Sequence, residues 1–173
     1  MNHPLHKKIG EILKKLDNQK YEVILDPACG GNQNIPLFLT KRKANDTEIC
    51  NVDGLVINRK IDEVIAIIEI EESNITPVHL CGKFLVSALA KYFIHENKNN
   101  KPYLLKDILF IHILKFSNNE KTKKKKQIEN IKKNIWKELL PCNLSNLTIS
   151  EYEVIWSDNE DLEREVLEKI EDI

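Results

Sequence analysis

The pattern that most constrains this chain is a pair of apolar runs interrupted by acids. Asn51-Val52-Asp53-Gly54-Leu55-Val56-Ile57 is followed by Val64-Ile65-Ala66-Ile67-Ile68-Glu69-Ile70-Glu71-Glu72. Both runs have the β-branched composition of strands in a sheet interior. Side chains alternate between the faces of a strand, so Glu69 and Glu71 leave the second run on the same side. Paired as a hairpin, the first run brings Asp53 to the same end of the sheet. Three carboxylates gathered there repel one another unless a cation lies between them. An oxygen-rich donor set of this kind suits Mg²⁺ or Mn²⁺ rather than zinc. The competing expectation is a surface hairpin whose acids are simply solvated on a polar face.

The 173 residues suffice for one domain, spanning 1–173, with a buried core. Hydrophobic residues make up 42% and charged residues 31%, which places the chain among soluble globular proteins rather than membrane or disordered ones. No apolar run reaches the length of a membrane span. The N-terminus carries His3, His6, Lys7 and Lys8 where a signal peptide would be apolar, so a cytoplasmic location is expected. Cys29, Cys50, Cys81 and Cys142 form no CxxC pair and read as reduced thiols in or near the core. The net charge of −1 conceals a lysine cluster at 121, 123–126, 132 and 133 and an acidic tail from Glu151 onward. A basic patch of that density can face a polyanion.

Periodicity predicts a helix over 5–16 and a strand over 21–25, stopped by Asp26-Pro27 and Gly30-Gly31. Residues 32–40 read as irregular or briefly extended around Pro36. A hairpin of 49–57 and 64–70 turns near 58–60. Thr76-Pro77 starts a helix that runs to about His95 and buries Val78, Cys81, Leu85, Leu89 and Tyr92 or Phe93. A central strand over 107–116 follows, with apolar residues on both faces. A helix over 123–140 ends at Pro141, with Trp136 in its core stripe; a strand over 147–156 and a helix over 161–170 complete the chain. Residues 97–101 and 117–121 read as polar loops. The fold class is α/β, a mixed central β-sheet flanked by helices, in the order α-β-β-β-α-β-α-β-α.

That order, with acids on the second and third strands, resembles the PD-(D/E)XK nuclease superfamily, which includes most type II restriction endonucleases. The likeness covers residues 5–116 in topology, and its motif is Asp53 with Glu69-Ile70-Glu71. The resemblance implies a restriction-endonuclease-like core and a Mg²⁺ (or Mn²⁺) dependent DNA endonuclease. It implies Asp53 as the central metal ligand, Glu69 as the second acid and the Ile70 carbonyl as a backbone ligand. Glu11, on the first helix, matches an auxiliary acid. Glu71 stands where the family usually has Lys, a Glu-x-Glu variant. Either Glu71 is accepted there as a further catalytic or metal-binding acid, or Lys83 supplies the missing cation from the following helix. His79, Lys83 and Ser87, at i, i+4 and i+8, share one helix face and are candidates to meet DNA. Gly82, inside the same helix, hints at a close approach by another backbone or a ligand.

Asp26-Pro27-Ala28-Cys29-Gly30-Gly31 resembles a second family, the S-adenosylmethionine loop of DNA adenine methyltransferases. The helix that should follow is broken by Pro36, and no (D/N)-P-P-(Y/F) tetrapeptide occurs downstream. Within the nuclease reading, the same loop offers Asn32, Gln33 and Asn34 to phosphates or base edges. Lys123, Lys124, Lys125 and Lys126 oppose the dipole at a helix start, a cost that phosphate binding would offset. The expected partner is DNA, with a homodimer for double-strand cuts and no membrane. An inactive nuclease fold that only binds DNA or protein is the alternative.

Overall fold

The computed structural model describes residues 3–73, 75–115, 121–139 and 147–173. Among them lie four α-helices and nine strands. The chain opens with α1 (Pro4–Leu13), whose first turn holds Pro4, and β1 (Tyr21–Leu25). β2 (Pro36–Phe38), β3 (Glu48–Asn51), β4 (Gly54–Asn58) and β5 (Glu63–Glu71) follow. α2 (Pro77–Leu89) is capped by Thr76, whose hydroxyl accepts the His79 N–H at 3.2 Å. β6 (Tyr92–His95), β7 (Lys101–Leu104) and β8 (Ile108–Leu114) lead to α3 (Lys121–Asn134) with a π turn at Ile135–Leu139. β9 (Ile149–Trp156) and α4 (Leu162–Glu171) complete it.

The main sheet has the order β1-β4-β5-β8-β9. β1, β4 and β5 are antiparallel neighbours, whereas β5, β8 and β9 run parallel. One face is covered by α1 and α4, whose Ile9, Leu13, Val166 and Ile170 meet Ile68, Ile70 and Ile111. The opposite face carries α2, α3 and a second, antiparallel sheet of order β3-β2-β6-β7; Phe84, Ile128 and Phe93 there join Ile67, Phe110 and Tyr152. Burial on both faces explains why β5 and β8 are nearly all apolar. Ile67, Ile68 and Ile111 are wholly shielded, each contributing about 2 kcal/mol of transfer free energy. Glu69, Glu71 and His112 interrupt this interior. A mixed α/β architecture is therefore present.

Several expectations are corrected. The run 49–57 is two strands in different sheets, broken at Val52–Asp53. There the Val52 N–H turns to the Ile35 carbonyl (3.1 Å), and the Asp53 carbonyl accepts the Asp26 N–H (3.0 Å). α2 stops at Leu89 because Ala90 is extended, and Tyr92–His95 pairs with β2 and β7 as a strand. Its buried face is Leu80, Phe84, Ser87 and Ala88; Val78, Cys81, Leu85 and Leu89 are exposed. Gly82 has open space where a Cβ would stand, so nothing approaches it closely. The close approach is instead at Gly10, where a Cβ would lie 1.9 Å from the Cys29 carbonyl oxygen. The expected loop at 97–101 holds a 3₁₀ turn and the start of β7. Of the loop expected over 117–121, Lys121 instead opens α3 and the rest falls outside the described residues, as do Phe116, Pro141, Cys142 and the Trp136 side chain. Among the described residues no helix is long and apolar enough to cross a membrane.

Candidate functional site

The end of β5 carries the site. Alternation puts Glu69 and Glu71 on the face beneath α2, and both are buried, with side chains 2% and 8% exposed. Lys83 reaches them from α2, its Nζ lying 2.6 Å from Glu69 Oε2 and 2.9 Å from Glu71 Oε1. One helical turn earlier, His79 Nδ1 lies 3.7 Å from Glu71 Oε2. Asp53 comes from the break before β4. Gly54 pairs with Ile68, so Asp53 falls beside the Glu69–Ile70 segment. Its Oδ2 accepts the Ile70 N–H at 2.7 Å, and its charge acts on Glu69. Three carboxylates thus gather near one ammonium, which pairs directly with two of them.

That imbalance sets the protonation. Burial pushes the Glu69 carboxyl up to about 8; Lys83 opposes the shift and the Asp53 charge reinforces it. Burial also raises Asp53, while the Ile70 N–H, Lys83 and His6 pull the other way. Burial disfavours the charged form of Lys83, yet Glu69 and its neighbours raise its pKa above the ordinary lysine value. The ammonium is fixed, and surplus negative charge remains in a medium of low dielectric.

Two neighbouring elements add polar groups. His112 on β8 sits in register with Glu69, is fully buried, and has Nδ1 2.9 Å from the Tyr152 hydroxyl. Burial, then the charges of Lys83 and His79, lower its pKa to about 3, so the ring is neutral. From α1, His6 places Nδ1 2.9 Å from Glu72 Oε1 and Nε2 3.7 Å from Asp53 Oδ2. Glu72 Oε1 also accepts the N–H groups of Leu5 (2.9 Å) and His6 (3.1 Å), closing the open start of α1 with an anion. Burial alone would raise Glu72, but the His6 ring and these two N–H groups hold it below its ordinary value. His3 adds a second imidazole 5.0 Å from the His6 ring.

Asp53, Glu69, Ile70, Glu71 and Lys83 are therefore together, with His79 at their edge. Glu11 is not: its side chain is 70% exposed and pairs with Lys14 at 2.9 Å. α1 turns His6 to Asp53 instead. Ser87 is fully buried beside Cys50 Sγ at 3.8 Å and cannot touch DNA. Gln33 accepts from Asn97 at 3.1 Å, while Asn32 and Asn34 are exposed. The Asp26–Gly31 loop leads into β2, not a helix, so the methyltransferase likeness lacks its structural context. Lys125 pairs with Asp158 at 3.1 Å and lies over the Trp156 ring; Lys124 is half-buried and also partnered; Lys123 and Lys126 are exposed. His6, Glu72 and His112 are the groups sequence reasoning missed. His112 had a signal, as the one polar residue within 108–114. His6 had none, because its role depends on how α1 docks.

No family model, curated protein or solved structure matches the chain. The chemistry of the site rests on its geometry.

Proposed function

We propose that the protein is a metal-dependent deoxyribonuclease, an endonuclease of the restriction-enzyme kind that hydrolyses phosphodiester bonds. One observation carries this reading: Asp53, Glu69, Glu71 and Lys83, from three separate elements, converge at one end of the sheet. The residues suit Mg²⁺ or Mn²⁺. Their donors are oxygens, their charge is in surplus, and buried Glu71 Oε1 touches Lys83 at 2.9 Å without a well-aligned hydrogen bond. Asp53 and Glu69 would hold the ion, with the Ile70 carbonyl as the backbone ligand of the resembled core. An ion held there would supply Lewis acidity to the phosphate and would acidify a water. Glu71 orients the attacking water. Lys83 offers positive charge to the phosphoryl oxygens as they gain electrons. His79, exposed at the rim, faces the DNA backbone, and Lys123 and Lys126 extend the contact to further phosphates. Two copies of the chain would cut both strands.

The test is nicking and linearisation of supercoiled plasmid in Mg²⁺ or Mn²⁺. Cutting should vanish in chelator and in Asp53→Ala, while that variant keeps its circular dichroism spectrum and its DNA affinity. Undiminished cutting by Asp53→Ala removes the site from the reaction. A second reading is a DNA- or protein-binding module without catalysis, favoured by the way Lys83 already bridges Glu69 and Glu71. Wild-type protein that binds DNA but cuts in neither metal establishes that reading instead.

A further inference from the structure

The contact between α1 and Asp53 carries an inference about which ion the site selects. Glu72 Oε1 receives two backbone N–H donors, so it acts as an acceptor, and the His6 Nδ1 at 2.9 Å must bring a hydrogen to it. In the neutral ring, Nε2 then carries a lone pair, and that lone pair meets Asp53 Oδ2 at 3.7 Å. The ring nitrogen and the carboxylate oxygen face a common space in which both can bind one cation. Ligating histidines characteristically give their other N–H to a carboxylate, which fixes the tautomer and the ring orientation. Glu72 does this for His6. Octahedral donors at bonds of about 2.1 Å stand about 3.0 Å apart when adjacent and about 4.2 Å when opposite, so a shift of the His6 ring by about 0.7 Å brings both atoms onto adjacent positions of one ion.

We infer that His6 Nε2 is a metal ligand shared with Asp53, oriented by Glu72. The inference rests on the proposed ion at Asp53, but not on the cleavage reaction. An imidazole changes the selectivity of the site. Mg²⁺ prefers oxygen donors, whereas Mn²⁺ and the later divalent ions accept nitrogen and follow the order of increasing affinity along the series. The site therefore favours Mn²⁺ over Mg²⁺. His3, His6 and Glu72 also bring one ligand atom each within 4.8 Å of one another, so a placement on those three without Asp53 is the structural rival.

The experiment uses the full chain loaded with Mn²⁺. Pulsed electron paramagnetic resonance reads directly coordinated ¹⁴N, and calorimetry reads Mn²⁺ and Mg²⁺ affinity. The wild type should show ¹⁴N modulation that is absent in His6→Gln and retained in His3→Gln. Mn²⁺ affinity should fall about tenfold or more in Glu72→Gln, the usual loss when a ligand's orienting partner is removed. His6→Gln should lower Mn²⁺ affinity and leave Mg²⁺ affinity within about twofold, because only the nitrogen donor is lost. Asp53→Ala should lose both ions. A wild-type spectrum without ¹⁴N coupling overturns the inference even if His6→Gln does not fold. So does coupling that disappears in His3→Gln and survives in Asp53→Ala. A protein that shows the imidazole signature yet leaves plasmid intact ends the nuclease reading and leaves the metal site standing.

Discussion

Glu69→Gln should stabilise the metal-free protein while abolishing cleavage, and the size of the effect follows from protonation. The Glu69 carboxyl has a folded pKa of about 8 against an ordinary value of 4.5. Below pH 4.5 both the folded and the unfolded chain hold this proton, and stability is intact. As pH rises, the unfolded chain releases the proton first and is favoured, so stability falls until about pH 8 and then levels off. At pH 7 the accumulated loss is about 3 kcal/mol, at about 1.4 kcal/mol for each pH step between the two titrations. Glutamine keeps the shape and does not ionise. It weakens the hydrogen bond that Glu69 accepts from Lys83, which retains Glu71, and that returns about 1 kcal/mol of the gain. The net, about 2 kcal/mol, corresponds to a rise in Tm of about 6 °C for a chain of this size. Thermal melts by circular dichroism in chelator, at pH 5, 6, 7 and 8, measure it. Wild-type Tm should fall with pH more steeply than the variant's, the two meeting near pH 5. A variant that melts below wild type at pH 7, or with the same pH slope, refutes the electrostatic account of the site.

Lys83→Ala leaves Glu69 and Glu71 buried without their cation and should cost about 3 kcal/mol at pH 8. The deficit should shrink towards pH 5 as Glu69 protonates, and saturating Mg²⁺ should restore much of the Tm by taking the place of the ammonium. Tyr152→Phe strips the fully buried His112 of its Nδ1 partner and should destabilise by about 1–3 kcal/mol in chemical denaturation, with cleavage per folded molecule unchanged. The double variant Lys123→Ala/Lys126→Ala should reduce the salt dependence of DNA binding, log K against log salt, by about two units. The same substitution at Lys125, already held by Asp158 and Trp156, should change that slope less.

What the sequence disclosed follows from which interactions are local. Strand alternation alone places Glu69 and Glu71 on one face, and turn chemistry places β1 at Tyr21–Leu25. The antiparallel partner of β5 and the parallel neighbour at 108–114 are legible from apolar runs buried on both faces. The second sheet is not, because Pro36–Phe38 and Lys101–Leu104 are too short to show a period, and Tyr92–His95 continues the helical pattern before it. The buried side of α2 differs from the expected stripe for a related reason. Val78, Cys81, Leu85 and Leu89 have the spacing of a core stripe, yet docking turns Leu80, Phe84 and Ala88 inward. That same rotation carries Lys83 over the acids. Glu11 is expected only from the family resemblance, and α1 meets the loop at Gly10 and Cys29 with Glu11 on its solvent side.

An acid at position 71 has a physical rationale in this geometry. β5 and β8 are parallel, and the crossover between them includes α2, which lies over the face bearing Glu69 and Glu71. A helix advances about 1.5 Å per residue, so Lys83 stands about 9 Å along the axis from Pro77, close enough for its flexible stem to reach back to the strand end. An ammonium drawn from the helix leaves the strand position free for a third acid. A lysine at position 71 and none at 83 would put two acids against one cation; this arrangement puts three. The added negative charge makes the metal-free site costly to bury and correspondingly receptive to a divalent ion, since neutralisation on binding relieves the repulsion that folding imposes. The most perturbed carboxyl, Glu69, lies at the centre of that group, between Asp53 and Lys83, where an ion would replace its proton.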